Sequence, residues 1–310
     1  MLAPDRPRPR GLRAITLPFR HADVLRRCGV LRVFQVTGAI PALIARARFG
    51  VPYVTTYGFS YGSLSEPGPK RPLKALVERL GLRHAAAVIT TTEALRVRAA
   101  RLARRVELIP NGVDSTRFVP AALPRRIGAD GCLRVLYVGR LSPEKNLPAV
   151  IEAAAMIKRR AAVQVTMVGA GPLRELLAGQ AWTAGVELEL PGVVDQSRLP
   201  AVYAAADLFV LASFTEGHPK VLLEAMSAGL PCVASDCEGN RSLIEPERTG
   251  LLFDAQRPAE LAARMERLLD DGELAASLGQ AARRLIVASY DLRTMVGREI
   301  ALLREIARRT

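Results

Sequence analysis

One strand–loop–helix–strand unit, between residues 207 and 235, limits the fold more than any other segment of the chain. Asp207–Ser213 is an apolar run with the length of a strand, and Pro231–Ser235 is a second one. Between them, Pro219 suits the first position of a helix because its missing N–H would be unpaired there. Gly229 suits the left-handed residue that follows the last helical turn. Strands that alternate with helices in this way along the chain predict an α/β protein whose parallel sheets are covered on both faces.

Two glutamates stand eight residues apart in this unit, Glu216 before the predicted helix and Glu224 on it. In parallel-sheet folds, ligands bind at the carboxyl ends of strands and against helix N-termini, so free N–H groups of Lys220–Leu222 would face an anion. Carboxylates accept hydrogen bonds from paired hydroxyls. The unit therefore predicts a site for a ligand with phosphate and sugar groups, although taken alone it also fits a plain buried strand–helix unit.

A second segment, after the apolar strand Leu133–Val138, carries charge in a similar place. Ser142 suits an N-cap and Pro143 the first helical residue, which puts Lys145 in a first helical turn, where the helix dipole disfavours a cation. Lys220 repeats this arrangement. Either lysine alone is more often a solvated surface charge, but two at two helix N-termini are explained if an anion lies between them.

These two segments resemble the signature of the retaining family-four glycosyltransferases, which have the GT-B fold of two Rossmann-like domains facing a cleft. The resemblance implies that Glu216 contacts the transferred sugar and that Glu224 holds the ribose of the nucleotide. It assigns Arg140 and Lys145 to the donor diphosphate. The further motif positions that it places at the donor are Gly217, His218, Lys220, Val221 and Leu222.

Shorter segments match the same family. Gly169 and Gly171 follow a predicted strand and resemble the family's glycine turn beside the donor. Val193 and Val194 belong to a segment that resembles the one against the nucleobase, where a plain loop fits nearly as well. Ile109–Asp114 resembles the marker at the end of the N-terminal domain, and its Asn-Gly pair predicts a structural turn.

The acceptor side departs from the family pattern. Many members carry a histidine after the third N-terminal strand, and at the matching place this chain has Tyr57 followed by Gly58. The tyrosine cannot take the histidine's role, and a core aromatic at a strand end fits as well. Gly58 would let the backbone approach a ligand closely. Tyr57 and Gly58 are therefore the residues predicted on the acceptor side.

The predicted domains are residues 1–125, an acceptor-side Rossmann-like domain, residues 126–290, a donor-binding domain, and residues 291–310, a helix returning towards the first domain. No strand, glycine-rich loop and helix precede Arg13, so the first domain is expected to be N-terminally shortened; the natural start could lie upstream, or the protein is a shortened relative. The strands predicted in that domain are Arg13–Leu17, Arg32–Thr37, Tyr53–Tyr57, Ala87–Thr91 and Val106–Ile109. The helices predicted in that domain are Ala39–Phe49, Pro72–Leu82 and Thr92–Ala103. A linker is expected around Pro120–Asp130, and the strands that follow it are expected near Leu133, Val163, Val186, Leu208, Pro231 and Leu251. The last predicted helices are Pro258–Asp270, Glu273–Ala288 and Leu292–Arg309.

Charge is concentrated in the first domain. Residues 1–125 hold 22 of the 44 basic residues but only 7 of the 30 acidic ones, so the net charge of +14 belongs to this part. In the family this domain binds the acceptor, which suggests an anionic or lipid-linked glycan, or an anionic membrane surface, as partner. Nucleic acid is a poorer fit because aromatic residues make up 5% of the chain and no recognised binding motif accompanies the arginines.

The remaining composition narrows the class of protein. The four cysteines lack zinc or redox spacing and no secretory signal is present, so a cytoplasmic protein is expected, at most peripheral on the cytoplasmic face of a membrane. The three histidines are scattered, and the resemblance implies arginine and lysine in place of a divalent ion, so neither metal nor cofactor is expected.

The resemblance implies transfer of a hexose-type sugar from a nucleotide-diphosphate sugar to a hydroxyl, with retention, in cell-surface glycan or glycolipid synthesis. The alternative is a shortened relative that binds nucleotide sugar without catalysis. A sugar-nucleotide epimerase of the same fold is less consistent with the Glu216–Glu224 region. Release of nucleoside diphosphate would separate enzyme from binder, and salt-dependent retention on DNA or RNA would indicate a nucleic-acid binder.

Overall fold

A computed structural model of the protein describes residues 10–58, 71–121, 127–128, 130–158 and 160–309. The chain divides into two compact units, the first of Met1–Pro110 with Val296–Thr310 and the second of Asn111–Met295. The first boundary precedes the expected one after residue 125, because residues beyond Pro110, such as Phe118, pack in the core of the second unit. The second boundary lies five residues after the expected one at 290. Part of the predicted linker, residues 122–126 and 129, is outside the described ranges.

Among its described residues, the first unit contains a parallel sheet of four strands in the order β1-β2-β3-β4. Tyr53 and Val88 lie in its core, and the hydroxyl of Tyr53 donates to the carbonyl of Gly81, 2.7 Å away. The strands are β1 (Leu31–Val33), β2 (Tyr53–Tyr57), β3 (Ala87–Thr90) and β4 (Val106–Leu108). The helices are α1 (Arg10–Arg20), α2 (Ala22–Leu25), α3 (Ala39–Phe49), α4 (Arg71–Arg83) and α5 (Glu93–Ala100), with a 3₁₀ turn at Val36–Gly38.

The strand predicted at Arg13–Leu17 is wrong, because these residues lie within helix α1, which packs against α3. Pro18 is buried and Ala14 half-buried, four residues apart on the same helical face, while Ile15 is about half exposed. A short apolar run does not distinguish strand from helix, and here the contact with α3 decides. The strand expected at Arg32–Thr37 ends already at Val33 and is followed by the 3₁₀ turn, and the short helix α2 was not predicted. The other predicted elements of this unit end within three residues of the observed ones, and Tyr53–Tyr57 and Ala39–Phe49 have the predicted bounds.

The second unit contains a six-stranded parallel sheet in the order β10-β9-β8-β5-β6-β7. The central strands are buried on both faces, as for Leu208–Leu211, which explains their unbroken apolar runs. The strands are β5 (Cys132–Val138), β6 (Ala162–Val168), β7 (Glu187–Gly192), β8 (Leu208–Leu211), β9 (Cys232–Ser235) and β10 (Leu251–Phe253). The helices are α6 (Leu147–Ile157), α7 (Arg174–Ala184), α8 (Leu199–Ala204), α9 (Lys220–Ser227), α10 (Glu238–Arg241), α11 (Pro258–Asp270) and α12 (Gly272–Ser289).

The last helix, α13 (Leu292–Arg308), contributes most of its length to the first unit. Two ion pairs hold it there: Arg32 Nε lies 2.5 Å from Glu299 Oε1, and Arg105 makes a two-pronged contact with Glu305 at 2.8 and 2.9 Å. Bidentate pairs of this kind fix orientation as well as adding energy. The end of the chain thereby becomes part of the first unit's packing.

The chain's path through the second sheet creates a position where a ligand is expected. From β5 the chain runs outward through β6 and β7, then returns to the other side of β5 to form β8. The crossover directions therefore reverse between β5 and β8. In open parallel sheets, ligands bind outside the carboxyl ends of the strands at such a switch point. The loops that follow β5 and β8 contain the two segments singled out from the sequence.

Candidate active site

The two loops at the switch point are joined by an ion pair. Lys145 Nζ, after β5, lies 2.6 Å from Glu216 Oε1, after β8. The same carboxylate oxygen accepts a hydrogen bond from Ser213 Oγ at 2.7 Å. Both side chains of the pair are mostly buried, with 21% and 11% of their surfaces exposed. Glu216 Oε2 has no donor among the described residues, so it is left to receive another group.

Lys145 is presented by a turn and not by the first turn of the long helix, as the sequence had indicated. Pro143–Lys145 form a 3₁₀ turn, and Asn146 then adopts the left-handed conformation (φ 52°, ψ 41°), so that α6 begins only at Leu147. Asn tolerates this conformation better than most residues, and its side chain donates to the carbonyl of Ala255 at 2.8 Å. The break in the helix directs Lys145 to Glu216. Lys145 therefore does not lie in the first turn of α6, and the expected repulsion by that helix dipole is absent.

Arg140 lies beside this pair. Its carbonyl accepts a 2.8 Å hydrogen bond from the hydroxyl of Tyr137. Burial raises the pKa of Tyr137, and the charges of Glu216 and Glu144 raise it further, whereas Arg140 opposes them. The hydroxyl of Ser142 lowers the pKa of Glu144 by donating to it. Because Arg140 itself is exposed, its guanidinium is accessible to an anion at this edge of the sheet.

Glu224 lies on the second turn of α9 and is bound by a residue that the sequence did not single out. The hydroxyl of the fully buried Tyr203, on α8, donates to Glu224 Oε2 at 2.8 Å. Burial raises the pKa of Glu224, and this hydrogen bond opposes the rise. One donor orients this carboxylate, and in its ionised form both oxygens accept hydrogen bonds from further hydroxyl groups, more strongly than the protonated acid does.

The N-terminus of α9 offers fewer free N–H groups than expected. The helix begins at Lys220, one residue after the predicted start, and Pro219 precedes it. The N–H of Leu222 already donates to the carbonyl of Pro219 at 3.2 Å, and the Leu222 side chain is fully buried. The expectation for Leu222 is therefore corrected. The N–H groups of Lys220 and Val221 have no acceptor in the part of the chain that the structure describes, and Lys220 is exposed.

His218 lies in the loop between β8 and α9 (residues 212–219, the motif loop) and is buried beside Tyr290, which follows α12. Its ring lies 5.5 Å from that of Tyr290, its Nδ1 has no hydrogen-bond partner among the described residues, and burial lowers its pKa to about 4. Its carbonyl accepts a 2.7 Å hydrogen bond from Asn111 Nδ2. The predicted Asn-Gly turn thus holds the motif loop, a link that the turn signal did not reveal. Gly217 follows Glu216 in the same loop and is half-buried.

The segment from the end of β9 to the short helix α10 packs against the backbone of Glu216. A Cβ atom on Gly239 would lie 2.4 Å from the carbonyl oxygen of Glu216, so only glycine fits this approach. Asn240 Nδ2 donates to the carbonyl of Ser235, and Ser235 Oγ donates to the carbonyl of Ser213 at 2.5 Å. The motif loop is therefore fixed by buried contacts with the segment after β9, which sequence reasoning did not anticipate.

The structure gives Gly169 and Gly171 a packing role. A Cβ on Gly169 would lie 1.8 Å from the carbonyl of Gly139, and one on Gly171 would lie 2.2 Å from that of Leu141. Gly169 also has φ +140°, which side-chain-bearing residues rarely adopt. The two glycines let the loop after β6 close against the loop that carries Arg140, so their contact with a donor stays a prediction.

Four further predicted positions are divided between the two units, Val193 and Val194 in the second and Tyr57 and Gly58 in the first. Val193, just after β7, is 78% exposed, while Val194 is half-buried against the core of the second unit. Tyr57 is buried at the end of β2 in the first unit, consistent with a core aromatic, and Gly58 follows it near Thr91. The acceptor role of Tyr57 and Gly58 stays a prediction.

No helix in the described ranges combines the length and apolar character that a membrane crossing requires. Within the same ranges, no three His, Cys, Asp or Glu side chains group as metal ligands would. The expectation of a site without metal or cofactor stays a prediction.

Two family models match the chain. The model described as "Glycosyl transferases group 1" matches residues 127–285, about half of the chain, and "Glycosyl transferase 4-like domain" matches residues 2–112. The chain is 34% identical to a GDP-mannose-dependent alpha-mannosyltransferase of Mycolicibacterium smegmatis, over 85% of this chain and 72% of that protein. It is 33% identical to an alpha-D-kanosaminyltransferase of Streptomyces kanamyceticus, over 76% of this chain and 64% of that protein.

The match to some relatives is shorter. With a D-inositol 3-phosphate glycosyltransferase of Salinispora arenicola, the chain shares 36% identity over 58% of its own length and 45% of the relative's. This chain thus spans less than two thirds of the kanosaminyltransferase and less than half of this enzyme.

Solved structures agree with the architecture. Sucrose-phosphate synthase from Thermosynechococcus elongatus superimposes with a TM-score of 0.85 and 25% identity, covering 99% of this chain and 82% of that one. Anabaena Alr3699/HepE in complex with UDP and glucose gives a TM-score of 0.81 at 21% identity, covering 93% and 81%. The latter likeness concerns the fold alone. The predicted α/β class, with two parallel-sheet domains of GT-B type, is confirmed.

Proposed function

The chain belongs to the group 1 glycosyltransferases, and on that premise we propose that it transfers a sugar from a nucleotide-diphosphate sugar to a hydroxyl acceptor with retention at the anomeric carbon. The observation that carries the proposal is the Lys145–Glu216 contact at the switch point of the second sheet. It brings together a cation suited to a diphosphate and a carboxylate suited to sugar hydroxyls. A purely structural ion pair would not require the accessible arginine beside it.

The donor is bound in the second unit. Arg140 and Lys145 take the diphosphate, assisted by the N–H groups of Lys220 and Val221 at the start of α9. These groups stabilise the negative charge that develops on the leaving diphosphate, so the site needs no metal ion or cofactor. Glu216 uses its unoccupied oxygen to orient the sugar.

Glu224 anchors the ribose, because its second-turn position on α9 and its fixed contact with Tyr203 hold one orientation of the carboxylate. Val193, exposed after β7, and Val194 provide an apolar surface for the nucleobase. Gly217 and His218 complete the loop around the sugar, and Gly169 and Gly171 shape the neighbouring turn.

The transfer step uses the departing phosphate as its base. The bond between the anomeric carbon and the β-phosphate oxygen breaks, and a bond to the acceptor oxygen forms on the same face. The acceptor's proton passes to the leaving phosphate oxygen. No pair of carboxylates acts as in a glycosidase; Glu216 orients the sugar and the cations lower the cost of charge separation.

The substrates are proposed by class. Relatives of this chain are described as GDP-mannose-dependent mannosyltransferases, one acting on a phosphatidylinositol monomannoside, and a structural neighbour holds UDP and glucose. We assign the chain a hexose donor and a glycan or glycolipid acceptor in cell-surface synthesis, with Tyr57 and Gly58 on the acceptor side. The excess of basic residues in residues 1–125 favours an anionic or lipid-linked acceptor over nucleic acid.

The test is release of nucleoside diphosphate from GDP-mannose, UDP-glucose and related donors, with and without lipid-linked and soluble glycan acceptors. Acceptor-stimulated release, with an α product from an α donor by nuclear magnetic resonance, is expected. Binding of a donor without release under any acceptor would favour the alternative, a nucleotide-sugar-binding protein without catalysis. A β product from an α donor would overturn retention.

A further inference from the structure

Helix α4 of the first unit carries an apolar stripe that no part of the described structure covers. Leu73, Leu76 and Leu80 are 62%, 51% and 37% exposed. They are spaced three and four residues apart, which places them on one face of the helix. We call them the α4 leucine surface. Exposed leucines occur singly on most proteins, but three in register on one helix are characteristic of an interaction face.

The opposite face of α4 makes the contacts that hold the helix in place. Leu82 is 1% exposed, and a Cβ on Gly81 would lie 2.8 Å from Cβ of Ala39, so the helix approaches α3 closely there. The carbonyl of Gly81 accepts a hydrogen bond from the hydroxyl of Tyr53. Because packing uses this face, the α4 leucine surface is not needed to attach the helix to its unit.

Cations accompany the exposed leucines. Lys74, Arg79 and Arg83 are all exposed, and none forms an ion pair with a carboxylate in the described ranges. The one acidic residue of α4, Glu78, is half-buried on the side of the helix that faces the unit. The solvent-facing side of α4 is thus apolar and cationic together. This combination is typical of helices that lie in the interface of a membrane, with leucines among the acyl chains and cations at the headgroups.

We propose that the α4 leucine surface docks onto an anionic lipid bilayer. Two properties favour a bilayer over a second copy of the chain. Pairing two α4 helices face to face would bring six unpaired cations together, and three leucines are too few for the area of about 1,200 Å² that a stable protein interface buries. An anionic bilayer instead offers complementary charge to a part of the chain with 22 basic and 7 acidic residues.

The proposed function enters this proposal only as the reason for docking, since an enzyme on the bilayer would meet lipid-linked acceptors there. Its physical content is independent, and its test needs neither donor nor acceptor. Vesicle flotation measures binding of the full chain to phosphatidylcholine alone and to phosphatidylcholine mixed with phosphatidylglycerol, at two salt concentrations. Thermal shifts with nucleotides report the donor site separately, so the two proposals can fail independently.

Three variants are compared with the unchanged protein. Leu73→Gln/Leu76→Gln/Leu80→Gln removes the apolar stripe, and Arg79→Gln/Arg83→Gln removes two cations. The matched control, Leu176→Gln/Trp182→Gln, changes two exposed apolar residues of α7 in the second unit, 54% and 88% exposed. Size-exclusion chromatography with light scattering measures the mass of each protein in solution.

The unchanged protein is expected to bind the anionic vesicles and to bind phosphatidylcholine weakly. The leucine variant should lose affinity roughly tenfold or more, the arginine variant roughly 30-fold with a weaker salt dependence, and the control should bind as the unchanged protein does. Equal binding by the leucine variant would overturn the proposal. The proposal would also be overturned if the unchanged protein were a dimer and the leucine variant a monomer. A large loss of thermal stability in the leucine variant, with unchanged vesicle binding, would overturn it too, because the chain itself would then cover the leucines.

Discussion

The Lys145 ammonium lies 2.6 Å from the Glu216 carboxylate, although 71 residues separate the two in the chain. The contact joins the loops after β5 and β8, which are neighbouring strands at the switch point of the sheet. In the proposed function, each partner also has a ligand of its own, the diphosphate for Lys145 and the sugar for Glu216. The 2.6 Å contact therefore places the cation proposed for the diphosphate next to the carboxylate proposed for the sugar.

Replacing Glu216 by Gln should separate binding from transfer. Without the carboxylate, Lys145 is free for the diphosphate, so affinity for nucleoside diphosphate should stay the same or rise a few-fold. Transfer should fall by about a hundredfold or more, because the sugar loses its orienting group. Calorimetry with the diphosphate and product-release rates measure the two effects. Glu175→Gln, at an exposed carboxylate on α7, is the matched control. Loss of diphosphate affinity with transfer retained would refute this assignment.

Gly239 should tolerate no side chain. In Gly239→Ala the new Cβ meets the carbonyl oxygen of Glu216 at 2.4 Å, a backbone atom that cannot rotate away. The loop must shift, at a cost of about 1–3 kcal/mol in the free energy of unfolding, and donor affinity should fall with it. Gly179→Ala is the control, because nothing lies within 4 Å of its Cβ and alanine favours a helix. Urea denaturation measures both; equal stability of the two variants would contradict the account.

Removing the hydroxyl of Tyr203 should alter how Glu224 titrates. The hydroxyl stabilises the ionised carboxylate, so Tyr203→Phe should raise the pKa of Glu224 above its already elevated position. If the ionised form accepts the ribose hydroxyls, nucleotide binding should then weaken at a higher pH than in the unchanged protein. The free energy of unfolding should fall by about 1 kcal/mol. The measurement is the nucleotide Kd across pH 5 to 8.

Tyr290→Phe serves as its control, since that hydroxyl donates to the carbonyl of Ser242 and not to a carboxylate. Identical pH profiles for the two variants would show that Tyr203 does not tune Glu224.

Buried His218 should make stability depend on pH. Burial lowers its pKa from 6.5 to about 4, so between these values the unfolded chain binds more protons than the folded chain. The free energy of unfolding then falls as the pH drops from 6.5 to 4, by about 3 kcal/mol from this group, and is unaffected by it above pH 6.5. His218→Phe keeps a ring beside Tyr290 and should remove this loss of stability between pH 6.5 and 4. His84→Gln, at an exposed histidine, should retain it. Urea titrations from pH 4 to 8 would show no difference between the two variants if His218 were already solvated.

Much of the fold followed from local pattern. Runs of apolar residues between glycine and proline signals located Tyr53–Tyr57, Ala39–Phe49 and Pro258–Asp270 with the observed bounds. The strand predicted at Arg13–Leu17 failed because its few apolar residues fit either structure, and only the packing of α1 on α3 decides between them. The helix expected from Pro143 failed at Asn146, whose left-handed conformation a local pattern does not specify.

For the candidate site, too, local motifs could be predicted from the sequence, whereas contacts between distant segments could not. Glu216, Glu224 and Lys145 could be selected because their motifs are local and their positions in strand–helix units are regular. Their supporting partners Tyr203, Asn111 and Gly239 could not, because each contact depends on how distant segments fold together. Tyr203 reaches Glu224 from a helix before β8, and no spacing rule connects the two.

The central claim is that Lys145 binds the diphosphate of a nucleotide donor. The most direct measurement is a thermal-shift panel of UDP, GDP, ADP and their sugar conjugates on the unchanged protein, Lys145→Ala and Lys158→Ala. Lys158 follows the far end of α6 and is the matched control. One nucleotide should raise the melting temperature of the unchanged protein and of Lys158→Ala, and its affinity should fall about 10- to 100-fold in folded Lys145→Ala. No shift with any nucleotide, or an equal shift in folded Lys145→Ala, would contradict the account.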